Sequence, residues 1–244
     1  SAFIAEPVVG AAAGATTPPP EYFSIIRDIC DRYDILFIAD EVITGFGRTG
    51  RNFGIEHWNV VPDIITSAKG LSGGYAPLGA VIAHDKIRDT FVETGAAFVH
   101  GYTMASNPLS AAVGVAVLDI IEQEELVARV AALEEGFFRR GRALLKHRTV
   151  GDVRGKGLLM GIEIVKDQRT KETFPPALRA NARLAAICLR HGLVTYPGGG
   201  TADGINGDHF LLCPPFTITD AELDELFALL DDGLTEFEQA TAAG

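Results

Sequence analysis

The chain has 244 residues, of which 47% are hydrophobic and 22% charged, the composition of an ordinary globular protein with room for one large domain or two small ones. Thirty-two acidic against 21 basic side chains give a formal net charge of -11, and no basic run appears anywhere, which argues against a nucleic-acid partner. Three scattered cysteines, Cys30, Cys188 and Cys213, make neither a disulfide framework nor a metal motif and read as free buried thiols of a cytoplasmic protein, while the lack of a long apolar run or signal peptide leads us to expect no membrane partner.

Ser1-Ala2-Phe3-Ile4-Ala5-Glu6-Pro7 reads as a buried strand over 2–6 that begins at once, so the chain is expected to be a piece of a longer one. A Gly/Ala/Thr/Pro-rich loop to Pro20 leads into a helix over about 21–33, with Tyr22, Ile25, Ile26 and Ile29 on one face. Strands are predicted at 35–39, 63–67 and 78–83, separated by an irregular, glycine-rich segment at 40–62. This order implies a mostly parallel sheet with flanking helices. After Asn107-Pro108 come two helices, 109–121 and 124–147. From Gly151 a new unit begins: a turn at 153–157, a strand over 158–165, a helix at 175–191, strands at 193–196 and 209–213, and a closing helix at 221–237. That mixed order suggests a small α+β domain. We expect residues 1–123 to be the C-terminal part of a large α/β domain and 124–244 to be the small domain.

Two residues draw attention to chemistry. The run Ile35 to Ala39 ends in Asp40-Glu41, and the run Ile64 to Ala68 ends in Lys69. A lysine and a carboxylate, each at the end of a buried strand, are what a pyridoxal phosphate (PLP) enzyme needs: the lysine forms a Schiff base with the cofactor, and the aspartate keeps the pyridine nitrogen protonated. Glu41 should point away from Asp40. Taken alone the pair is a weak signal, because a lysine after a strand is usually a surface residue and Asp-Glu is a common solvated turn.

The surrounding motifs are far more specific. Asp40-Glu41-Val42-Ile43-Thr44-Gly45-Phe46-Gly47-Arg48-Thr49-Gly50, then Pro62-Asp63-Ile64, Ser67-Ala68-Lys69-Gly70-Leu71-Ser72-Gly73-Gly74 and finally Pro214-Pro215-Phe216-Thr217-Ile218-Thr219 resemble class III aminotransferases of PLP fold type I, across essentially the whole chain. The resemblance implies a homodimer with PLP at the subunit interface. It implies that Asp40 meets the pyridine nitrogen, that Val42 packs on a ring face, and that Lys69 holds the aldehyde and then shuttles the proton. His100 to Pro108 resembles the segment whose threonine, here Thr103, reaches the phosphate of the neighbouring subunit's cofactor; a helix-capping role for Thr103 is the alternative. Glu6-Pro7 resembles the glutamate on the substrate side of the cofactor, or else is a strand-end carboxylate.

Three departures bear on substrate and site. Ile43 stands where some family members carry a glutamine that bonds the ring hydroxyl. No arginine lies in Thr201 to Cys213, where many ω-amino-acid members grip a carboxylate; Arg48 and Arg51 could serve an anionic group or simply pair on the surface. The family's Gly-Ser/Thr phosphate loop and ring-stacking aromatic lie upstream of the strand bearing Glu6, so this chain is expected to hold only part of the phosphate cup. The expected reaction is ping-pong amino transfer from an amine or amino acid to a keto acid. A PLP-dependent mutase or decarboxylase on the same fold, and a non-catalytic fragment, are the rival readings.

Overall fold

Two four-stranded sheets organise residues 1–242 of the computed structural model. Each lies in its own unit: Ser1–Pro7 with Pro18–Ala128, and Val8–Thr17 with the chain from Arg129 onward.

In the first unit, β1 (Ala2–Ala5), β2 (Leu36–Asp40) and β3 (Ile64–Ser67) are parallel neighbours, and β4 (Ala80–Ala83) closes the order antiparallel to β3. The crossover from β1 to β2 contains α1 (Tyr22–Arg32). Its inward face differs from the stripe read from the sequence. Phe23 and Cys30 are buried, whereas Tyr22, Ile25 and Ile29 are exposed. Aromatic packing decides this: the Phe23 ring stacks on Phe37 of β2 at 5.7 Å and meets Trp58 edge-on at 5.0 Å, a geometry that contributes beyond the area it buries. Trp58 donates its indole N–H to Pro19 O at 3.0 Å.

Arg27, on the same helix, turns inward to Asp63 at 3.0 Å. Asp63 is buried just ahead of β3 and accepts the Phe37 N–H at 2.7 Å and a contact from Lys86. Lys86 lies on α2 (Asp85–Thr94), a helix that the sequence reading missed. None of its residues is buried, and Ile87, Phe91 and Val92 are the extent of its apolar stripe. Its ends are made instead by His84, whose Nδ1 accepts the Lys86 N–H, and by Gly95 in the left-handed conformation. The unit ends with α3 (Pro108–Gln123), capped by Asn107, whose side chain accepts the N–H groups of Leu109 and Ser110. Asn107, not Thr103, is therefore the cap.

In the second unit, β5 (Val150–Lys156), β6 (Leu159–Ile164), β7 (Tyr196–Gly199) and β8 (Asp208–Leu212) form an antiparallel sheet in the order β5-β6-β8-β7. Alternation divides it into two faces. Met160, Ile162, Ile164, Phe210 and Leu212 enter the core with α4 (Leu126–Ala143), α5 (Ala180–Arg190) and α6 (Asp220–Ala242). Along α6, Leu223, Phe227, Leu230, Leu234 and Phe237 are buried at three- and four-residue steps, and each such side chain contributes roughly 1.5–3 kcal/mol. The other face receives the loop Val8–Thr17. Ala11 O meets His209 Nε2 at 3.1 Å and Ala13 O accepts from Arg154 at 3.1 Å. A Cβ at Gly161 would lie 1.9 Å from Gly14 O, so only glycine permits this approach.

Three predicted boundaries shift here. Of the turn expected at 153–157, residues 153–156 belong to β5, whose Gly151 and Gly155 disguise it, and the turn itself falls at Gly157-Leu158. Gly155 adopts φ +133 and passes against Leu159 O, so pairing with β6 sets the strand in spite of its composition. The helix expected from 175 starts at Ala180, after a 3-10 turn at Pro176–Leu178 that ends on Arg179 at φ +51. The strand expected at 193–196 runs instead over Tyr196–Gly199, where it pairs with β8.

Burial pushes the Asp63 carboxyl up, but hydrogen bonds from Lys86, the Phe37 N–H and Arg27 outweigh it and hold the group below the usual carboxylate range. The folded state therefore binds the Asp63 proton less tightly than the unfolded state. The resulting stability is fully present above the ordinary carboxylate pKa and is lost as pH falls through the depressed folded value. Asp63→Asn should cost about 2–3 kcal/mol near neutral pH and flatten the acid limb of the stability curve. Urea unfolding of both proteins from neutral to acid pH measures this; parallel limbs would show that Asp63 does not drive the acid loss.

Candidate active site

The parallel part of the first sheet sets the site. Ala5 lies opposite Ala39, and Asp40 lies opposite Thr66, so β1, β2 and β3 end along one edge. Glu6 follows β1, Asp40 closes β2, and Lys69 comes two residues after β3. The structure thus brings three of the expected site residues to the carboxyl edge of adjacent parallel strands, where open α/β sheets bind ligands.

Asp40 is half-buried, and its Oδ1 accepts the Val42 N–H at 3.1 Å. That bond turns the chain at the strand end and keeps Val42, also half-buried, beside the carboxylate. Lys69 is exposed and has φ +41, a left-handed backbone that lysine adopts only at a cost. The turn after it holds it there. The Leu71 N–H bonds Ala68 O at 3.0 Å, the Gly73 N–H bonds Gly70 O at 3.2 Å, and Ser72 Oγ donates to Ala76 O at 2.7 Å. Leu71 and Ser72 are buried, so the turn is fixed from its far side while the amine faces outward. Thr103 lies elsewhere, exposed in the turn ahead of α3.

The sequence reading missed the importance of Glu41. It is fully buried. Its Oε2 accepts the Gly54 N–H at 2.8 Å and the Thr44 hydroxyl, and its Oε1 accepts the Ile55 N–H at 2.8 Å. Its own N–H reaches Thr66 O at 2.8 Å, and its carbonyl takes the Gly45 N–H at 3.0 Å. Burial pushes the carboxyl above its ordinary range, and the bonds from Thr44, Ile55 and Gly54 pull it partly back. The available signal was alternation: with Asp40 on one face, Glu41 had to enter the other, where an acid needs donors.

As chemistry, the edge offers one primary amine and one carboxylate on neighbouring strand ends, with a second carboxylate one strand further on. This donor set fits a group that carries an electrophilic carbonyl and a basic nitrogen. Among the described residues no cluster of His, Cys, Asp or Glu is placed to hold a metal ion, and no helix is long and apolar enough to cross a membrane.

The family described as Aminotransferase class-III matches residues 1–234. The uncharacterized aminotransferase YodT of Bacillus subtilis (strain 168) is 39% identical over 241 residues, 97% of this chain and 54% of its own length. The crystal structure of a transaminase from the marine bacterium Virgibacillus superposes with a TM-score of 0.92 at 36% identity, over 98% of this chain and 54% of that one. A PMP-bound form of an aminotransferase from Vibrio fluvialis gives 0.89 at 35%, over 98% and 51%. The chain spans about half the length of the proteins it matches. It shares their fold over that half, the fold type I architecture its motifs imply, and it belongs to the class III aminotransferases.

Proposed function

We propose that this chain supplies the lysine and aspartate of a PLP-dependent aminotransferase, which moves an amino group from an amine or amino acid to a keto acid by a ping-pong mechanism. The observation that carries the reading is the shared strand edge: Lys69 and Asp40 leave adjacent parallel strands on the same side, and Lys69 is held in a strained backbone conformation, as functional residues often are. When bound, PLP supplies an aldehyde that captures the amino group and a ring that takes up charge as the substrate proton leaves.

The protein's own residues do the rest. Lys69 would hold the cofactor through its amine and, with that amine free, would take and return the substrate proton. Asp40, its carboxylate aimed by the Val42 N–H, keeps the ring nitrogen protonated. Val42 packs against the ring, Glu6 lines the substrate side, and Thr103 donates its hydroxyl to the phosphate held by a second subunit, which makes the working unit a homodimer. On this reading the first unit is the later part of the cofactor domain and the second the small domain, the division expected at 123/124 falling after Ala128 and the loop Val8–Thr17 going with the second unit. The family of the chain and its relatives supports this assignment, and three free thiols, Cys30 and Cys188 buried as expected and Cys213 exposed contrary to expectation, support a cytoplasmic setting.

Added PLP should give the full-length protein a visible absorption band. Borohydride should then fix the cofactor on the peptide containing Lys69, and on no peptide of Lys69→Ala. A colourless protein without an adduct would overturn the reading. Binding without transfer from any of a panel of amines to pyruvate would instead assign a mutase or decarboxylase. A separate expectation concerns stability. Lys69→Gly removes the amine but accepts φ +41 without cost, so the cofactor-free protein should gain about 1 kcal/mol in urea unfolding. A loss would show that contacts of the lysine stem outweigh the backbone strain.

A further inference from the structure

Glu41 touches none of the groups assigned a chemical role, yet the three segments that carry Glu6, Asp40 and Lys69 meet at it or at the turn it closes. Its carboxylate holds the Gly54 N–H. Gly54 is wedged so closely that a Cβ there would lie 2.7 Å from Thr44 Cβ and 3.2 Å from Pro7 Cβ. Pro7 follows Glu6, so the end of β1 is held against this point. Thr44, itself fully buried, donates to the same carboxylate, and Glu41 O accepts the Gly45 N–H, which closes the turn after Asp40. On the turn's far side, a Cβ at Gly70 would lie 3.3 Å from Phe46 Cβ and 3.4 Å from Gly45 O, so the residue after Lys69 rests on the turn that Glu41 closes. The Glu41 N–H is bonded to Thr66 O of the strand leading to Lys69.

We propose that Glu41 is a positioning residue for the active site: its buried carboxylate fixes the turn 41–46 and Gly54, and through them sets where Asp40 and Lys69 stand relative to each other. The inference rests on the cofactor reading above and extends it to a residue that meets neither cofactor nor substrate. The physical basis is donor geometry. A carboxylate offers two equivalent acceptor oxygens, and here three donors converge on them. The amide of a glutamine keeps one acceptor and turns an N–H₂ toward at least one donor, so Glu41→Gln keeps the volume but breaks the arrangement.

The test uses the full-length protein reconstituted with PLP. In Glu41→Gln, PLP affinity should fall about tenfold, the pH midpoint of the cofactor absorption band should shift, and kcat should fall more than KM rises. The amides of Gly54 and Ile55 should exchange with deuterium faster in the cofactor-free protein. Thr44→Val, which keeps the carboxylate and both backbone bonds, should shift the band in the same direction by less, and it carries the test if Glu41→Gln does not fold. A lowered melting temperature with unchanged PLP affinity and unchanged pH midpoint in either variant would reduce Glu41 to a structural residue and overturn the proposal. A wild-type protein that takes no PLP at Lys69 would sink the cofactor reading itself, and this proposal with it.

Discussion

A buried carboxylate must find donors, and the architecture of the first unit follows from two that do. Taking a carboxylate out of water costs several kcal/mol unless hydrogen bonds replace its hydration. Glu41 meets that need with Thr44, Gly54 and Ile55, and Asp63 meets it with Phe37, Arg27 and Lys86. They sit at opposite ends of the same strand pair. Asp63 lies at the amino end of β3, also donating its N–H to Phe37 O, and Glu41 lies beyond the carboxyl end of β2. Together they hold the register of β2 against β3 and tie to it elements that bury little apolar surface: α2 at one end and the glycine-rich segment 44–55 at the other.

The same constraint orients the chemistry. Side chains along β2 alternate, with Phe37 and Ala39 buried and Leu36, Ile38 and Asp40 less so. Glu41 continues the buried parity. A one-residue slip would drive Asp40 into the interior and leave the three donors of Glu41 without their acceptor, so the pair Asp40-Glu41 makes the register all but unique. In the second unit the polar grip on the loop Val8–Thr17 combines a neutral group and a charged one. His209 is fully buried, and burial lowers its pKa despite the bond to Ala11 O. The imidazole therefore stays uncharged at neutral pH and meets the loop with a hydrogen bond, while the Arg154 guanidinium bonds both Ala13 O and Glu163.

What could be read from the sequence divides along the same physical line. Elements that bury an alternating or helical apolar pattern were legible: β2, β3, β6 and α6 fall within a few residues of their predicted bounds, and the motifs around Asp40 and Lys69 led to the family. Elements set by polar or backbone contacts were not. α2 owes its ends to His84 and Gly95 and buries nothing. β5 is fixed by pairing and carries two glycines. The buried face of α1 was chosen by ring packing with Phe37 and Trp58, which apolar periodicity along the helix could not distinguish from the Ile25-Ile29 face. Glu41 was seen to point away from Asp40, but of its three donors only Thr44 is a nearby side chain; the other two lie 13 and 14 residues downstream, in backbone N–H groups that leave no residue-type signature.

Lys69 shows where local preference gave way to another demand. Glycines stand at 70, 73 and 74, and the last two take the left-handed conformation that suits them. At 69 the chain puts lysine into that same region, although a glycine is one residue away. A strained non-glycine residue costs on the order of 1–3 kcal/mol and persists only where its surroundings over-determine it. Here they do: β3 fixes the approach, the buried Leu71 and Ser72 fix the departure, and Gly70 passes so close to Phe46 and Gly45 that a Cβ there would press on both. Exchanging residues 69 and 70 would relieve the strain but put a side chain into the turn after Asp40 and move the amine off the strand edge it shares with that carboxylate. The strain is thus the cost of having the amine and the carboxylate end on the same side of one sheet.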